Sequence, residues 1–236
     1  MPTGPVLSRV VRRAWWRVRD YAYVLHRQLD GLLHRGDAEV YLAPRQRVAP
    51  DVVLVPGVYE SWQFLRPLAE ALHRAGHVVH VLPGLGYNRK PVPAGAALLA
   101  RHLAQHDLRD VVVVAHSKGG LIGKLAMLRE DPQGRIRSMV AISTPFAGSV
   151  YARWVPLAAV RAFVPTDATL AALAAELDVN QRITSAFSRW DPHIPGGSRL
   201  DGAVNIELRT PGHFRVLLDD ELERVVLDAV RGQEGR

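Results

Sequence analysis

Val111-Val112-Val113-Val114-Ala115-His116-Ser117-Lys118-Gly119-Gly120 reads as a buried strand running into a tight turn that carries one serine, with a helix to follow. Four consecutive valines are β-branched and uniformly apolar, which marks a strand covered on both faces, as in a parallel sheet. Ser117 then stands at the carboxyl edge of that sheet. A strand that bends sharply into a helix strains the backbone at the bend, so the positions two before and two after it must carry small side chains. Ala115 and Gly119 meet that demand.

Outward from this segment, strands are expected at 51–55, 78–82, 137–142, 183–188 and 203–208. Helices are expected at 62–75, 95–106, 121–130 and after residue 214. Strands and helices in alternation predict an α/β fold with a doubly wound, mostly parallel sheet. Gly76 and Asp131-Pro132 are helix stops. The loop 83–88 holds two glycines, but no G-x-G-x-x-G follows the first strand, so a dinucleotide site is not expected. The 236 residues divide into a basic helix with its lead-in over 1–50 and one catalytic-sized domain over 51–236. The chain has no cysteine, which excludes a thiol nucleophile and thiolate metal sites. No spacing among His73, His77, His80, His102 and His106 suggests a metal.

Ala115-His116-Ser117-x-Gly119-Gly120 resembles the nucleophile elbow of the α/β-hydrolase superfamily, in the A-H-S-x-G-G form of small bacterial lipases and esterases. Ala115 stands where glycine is usual. The resemblance implies an α/β-hydrolase fold in which an acid and then a histidine follow the serine, each on a loop after a later strand. Asp191, in Asp191-Pro192-His193-Ile194-Pro195, is the expected acid, and His213, in Thr210-Pro211-Gly212-His213, the expected base. His193 shares a loop with Asp191 and is expected at the rim. Asp201-Gly202 reads as a turn, and His116 as a packing residue. The backbone N–H groups expected to hold an oxyanion are those of Lys118 and Val58. The latter lies in Pro56-Gly57-Val58, which resembles the H-G-x turn of lipases with Pro56 in place of histidine. Ser143-Thr144-Pro145-Phe146-Ala147-Gly148-Ser149 is similar to the T-P-x-x-G-S turn of these enzymes. Residues 150–182 then form a short helical cap, with a helix at 166–177. Tyr59, Trp62, Phe146 and Trp154 are the expected substrate-binding residues, with plain packing as the alternative for each.

Residues 1–36 predict an amphipathic helix. Leu7, Val11, Ala14, Val18, Ala22, Leu25, Leu29 and Leu32 form one apolar stripe, and seven arginines stand against Asp20 and Asp30. This segment therefore carries five of the seven net positive charges, and the rest is close to neutral. No nucleic-acid recognition motif accompanies the charge, so nucleic acid is not an expected partner. The arginine face is the solvated side of a helix packed on the hydrolase core, a contact with an anionic membrane surface, or a site of partner docking or dimerisation. Without a continuous apolar leader segment, the expected location is cytoplasmic, with peripheral attachment to the inner membrane surface under the second reading. The expected activity is hydrolysis of carboxylic esters with apolar groups, on a small-molecule ester or lipid substrate, through an acyl-enzyme and without a cofactor. An acyltransferase or thioesterase on the same residues, or a binding scaffold without catalysis, are the alternatives.

Overall fold

The computed structural model describes residues 4–33, 38–161 and 163–232. Its centre is a six-stranded sheet of β1 (Val52–Val55), β2 (Val79–Val81), β3 (Val111–His116), β4 (Ile136–Ile142), β5 (Ile183–Ser188) and β6 (Val204–Leu208). The strand order is β2-β1-β3-β4-β5-β6, and every pair is parallel. Helices α1 (Gly4–Leu33), α2 (Arg66–Arg74), α3 (Val92–Gln105), α4 (Lys118–Leu125), α5 (Ala158–Arg161), α6 (Ala168–Ala175) and α7 (Asp220–Arg231) surround it.

Side-chain alternation sorts the core into two layers. Val53, Val55, Val111, Val113 and Ala115 point to the side covered by α3, α4 and α6. Val52, Leu54, Val112 and Val114 point to the side covered by α1, α2 and α7. The chain runs from β1 outward to β2, then crosses back to β3 on the other flank of β1. A crevice opens where the strand order reverses, beyond the carboxyl ends of β1 and β3.

Local chemistry moves several helix boundaries. The helix expected from residue 121 begins at Lys118 and ends in a π-helical turn, Ala126–Glu130. The one expected at 62–75 is a 3-10 turn, Trp62–Leu65, followed by α2 with proline in its first turn. In the cap, Asp167 accepts hydrogen bonds from the N–H groups of Thr169 and Leu170, so α6 starts at Ala168.

The largest departure concerns α1. It packs on the core, but through the face opposite its apolar stripe. Asp20 and Tyr23 are buried and Trp16, Val24, Arg27 and Gln28 half-buried, whereas Val11, Trp15, Val18, Leu25, Leu29 and Leu32 face solvent. The stripe predicted the helix correctly and its buried face wrongly, because α1 is held by polar groups that match backbone atoms of the core. Tyr23 donates to Phe64 O (2.6 Å), Gln28 Nε2 donates to Tyr59 O (2.9 Å), and Asp30 bridges Arg27 (3.2 Å) and Arg66 (2.9 Å). Arg35 and the side chain of Leu7 lie outside the described residues.

Candidate active site

Ser117 follows β3 with φ 51° and ψ −118°, a backbone conformation strained for a residue with a side chain. The elbow is as crowded as its sequence requires. A Cβ on Gly119 would stand 2.1 Å from the carbonyl oxygen of Val55, and one on Gly120 2.0 Å from Thr144 Oγ1. These contacts press the start of α4 against the ends of β1 and β4 and hold the serine over the crevice.

Three of the residues read from the sequence meet there. His213 Nε2 lies 3.1 Å from Ser117 Oγ, and His213 Nδ1 lies 2.7 Å from Asp191 Oδ2. The other carboxylate oxygen of Asp191 accepts the N–H groups of His193 (2.7 Å) and Ile194 (3.1 Å). Gly212 N–H donates to Trp190 O (2.9 Å), which ties the loop of His213 to the loop of Asp191. His193 sits beside them on the cavity wall, its ring 4.9 Å from that of His213 and its Nε2 3.3 Å from Tyr21 Oη. Asp201 is exposed, and its carbonyl accepts from Asn180.

The charges follow from this geometry. Burial is the largest influence on His213 and disfavours its cation. The charge and hydrogen bond of Asp191, with Glu60 and Asp20 behind, outweigh it, so the imidazole is more basic than an ordinary histidine. Burial likewise pushes the Asp191 carboxyl up, but His213 and the His193 N–H together hold it below the usual carboxylate range. His193 is brought down to about 4, first by burial and then by His213, and is neutral near pH 7.

Two groups that the sequence reading passed over brace this chain. Asp20, fully buried on α1, accepts the N–H groups of His213 (3.0 Å), Phe214 (2.9 Å) and Arg215 (2.8 Å). Glu60 accepts Gly57 N–H (2.7 Å) and faces His116 Nδ1 (2.9 Å), while His116 Nε2 donates to His213 O (3.0 Å). His116 is therefore a buried link between the turn after β1 and the His213 loop, and more than the packing residue expected. A carbonyl only accepts, so one shared proton lies between His116 and Glu60. No spacing rule relates Asp20 or Glu60 to Ser117. The one available signal was a carboxylate within an otherwise basic helix.

Val58 lines the cavity above Ser117, and Lys118 opens α4. Neither N–H donates to a protein acceptor among the described residues. The Lys118 side chain turns away from the crevice, donating to Asn88 O (2.9 Å) and Lys90 O, while Asn88 Nδ2 donates to Pro56 O (2.7 Å). Burial lowers the Lys118 amine to about 8.

Above Ser117 and His213 opens a cavity of about 530 Å³. Its walls are mainly apolar: Val24 from α1, Phe64, and Val155, Leu157, Val160 and Phe163 from the cap. Of the four residues expected to bind substrate, Tyr59 lines it. Phe146 is buried in the core beneath the turn, and Trp154 points into solvent with Arg153 over its ring (5.0 Å). Trp62 packs edge-on against Tyr41 with Arg66 over its face, and lines a different cleft. Three of the four thus point elsewhere, and α1 supplies cavity wall that no motif announced.

The model of the α/β-hydrolase fold family matches residues 50–191, more than half of the chain. The chain belongs to the α/β-hydrolase fold family. No curated protein matches the sequence. Among solved α/β-hydrolase relatives, the mature form of Bacillus licheniformis lipase BlEst2 has a TM-score of 0.63 at 16% identity, over 80% of this chain and 95% of that one. Against the propeptide form of the same lipase the values are 0.62 and 17%, over 78% of this chain and 52% of that protein. The Paleococcus ferrophilus monoacylglycerol lipase gives 0.58 at 13% identity, over 80% and 96%. The enol-lactonase of Burkholderia xenovorans LB400 gives 0.55 at 17%, over 80% and 94%. At such identities the likeness is one of fold.

Proposed function

We propose that this α/β-hydrolase is a serine hydrolase of carboxylic esters that carry an apolar acyl or alcohol group. The observation that carries the reading is the hydrogen-bonded chain from Ser117 Oγ through His213 to Asp191, at the floor of an apolar cavity. A serine hydroxyl is a weak nucleophile until a base takes its proton, and His213 stands within reach to do so. Asp191 fixes the tautomer that leaves Nε2 free and stabilises the imidazolium that forms. As Ser117 attacks the ester carbonyl, the developing oxyanion is received by the N–H groups of Val58 and Lys118. Each such donor is worth roughly two to three orders of magnitude in rate. His213 then passes its proton to the leaving alcohol, and water, deprotonated by the same imidazole, releases the acyl group from Ser117.

The lipase names of two structural neighbours agree with an apolar ester, as do the cavity walls. A fluorophosphonate probe tests the reading, because it labels a serine only when a base activates it. Wild-type protein is expected to label and to hydrolyse p-nitrophenyl esters, and Ser117→Ala to do neither. A folded wild type that fails to label would overturn the assignment.

A further inference from the structure

The apolar stripe of α1 has no partner in the fold, and its composition says what covers it. Val11, Trp15, Val18, Ala22, Leu25, Leu29 and Leu32 step by four and three residues along the helix, and all are exposed. At 62%, 60% and 59% exposure, Leu25, Leu32 and Val18 stand almost clear of the molecule. An exposed apolar strip of this length marks a contact surface. Arg12, Arg17 and Arg19 are exposed beside it. By the 100° step of a helix, Arg12 and Arg19 lie about 80–100° from the centre of the stripe on one side and Arg17 about 120° on the other. The two carboxylates of α1 are turned inward, Asp20 to the His213 loop and Asp30 to Arg27 and Arg66.

We propose that this face of α1 docks the protein on an anionic lipid surface. An apolar stripe with cationic flanks is how a helix lies in a bilayer interface: the apolar side chains enter the acyl boundary and the arginines reach the headgroups. No helix among the described residues is long and apolar enough to cross a membrane, so the contact is with the surface. A second copy of the chain fits less well. Neither helix of such a pair offers an exposed carboxylate to answer the arginines that flank the stripe.

The position of the stripe gives the docking a consequence. Arg17 and Tyr21, one step round the helix from it, are exposed and line the cavity above Ser117; across the opening stand exposed Tyr151 and Leu157 of the cap. A bilayer seated on the stripe therefore lies beside the mouth of the cavity. That consequence rests on the ester-hydrolase reading, whereas the docking itself does not.

Co-sedimentation of the full chain with phosphatidylcholine vesicles, with and without phosphatidylglycerol, tests the proposal. The expected result is binding that requires phosphatidylglycerol and weakens as salt is added. The double substitution V18E/L25E, both sites exposed and away from the cavity, is expected to weaken binding about tenfold or more. It should keep its thermal transition and its rate on a soluble p-nitrophenyl ester. Brominated phosphatidylglycerol is expected to quench the fluorescence of Trp15, so Trp15→Phe loses that part of the quench without relying on V18E/L25E. Ser117→Ala should bind vesicles as wild type does, which separates failure of the docking from failure of the ester reading. Equal binding to both kinds of vesicle, or none, overturns the proposal. So does a dimer in sedimentation velocity that V18E/L25E dissociates while vesicle binding is absent.

Discussion

At the scale of single residues, the site is governed by how the buried carboxylate of Asp191 treats the imidazole of His213. Asp191 raises the basicity of His213 against the opposing effect of burial. In the proposed mechanism the imidazolium cannot act as a base, so activity is expected to rise with pH as His213 loses its proton. The acid limb of kcat/KM is therefore expected above the ordinary histidine range. In Asp191→Asn the charge is gone and burial remains, so the limb should move to lower pH while kcat falls by about three to four orders of magnitude. A pH profile of p-nitrophenyl ester hydrolysis for both proteins checks this. Ser117, Asp191 and His213 were legible because the chemistry demands these residue types and the fold demands their order. Glu60 and His116 were not, since the proton they share depends on a contact between residues 56 positions apart.

At the scale of elements, α1 supports the loop that carries His213. Its Trp16 packs on Trp190 beside the acid (5.4 Å), Asp20 holds the His213 loop, and Gln28 holds the turn at Tyr59. Trp16, Asp20 and Gln28 are four and eight residues apart, about one and two helical turns, so one face of a single helix touches all three loops of the site. Asp20→Ala leaves three buried N–H groups without an acceptor, an expected loss of about 3–5 kcal/mol in denaturant unfolding. The released loop should also lower kcat by about tenfold or more with a smaller change in KM. Asp20→Asn, which keeps one accepting oxygen, should recover part of both. The period of three and four residues predicted this helix, yet hydrophobicity chose the wrong face. Burial rewards whatever contact satisfies the partner, and here the partner is a row of backbone N–H and C=O groups.

At the scale of the whole molecule, the N-terminal helix lines the cavity and braces the His213 loop. Tyr23 belongs to the core layer of α2 and α7, and α1 forms one wall of the cavity. Removing residues 1–36 should therefore lower the thermal transition by about 10 °C or more and abolish ester hydrolysis, where loss of a detachable tail would change neither. Calorimetry and the p-nitrophenyl assay on the shortened chain distinguish the two. The sequence by itself determined the parallel α/β sheet and the serine at its carboxyl edge, because strand burial and elbow crowding are local and leave their mark on neighbouring residues. Only the tertiary structure decided which face of α1 is buried, which aromatic residues reach the cavity and how the His213 loop is held. Those depend on polar groups that meet across nearly two hundred residues, and no periodicity along a chain records such a meeting.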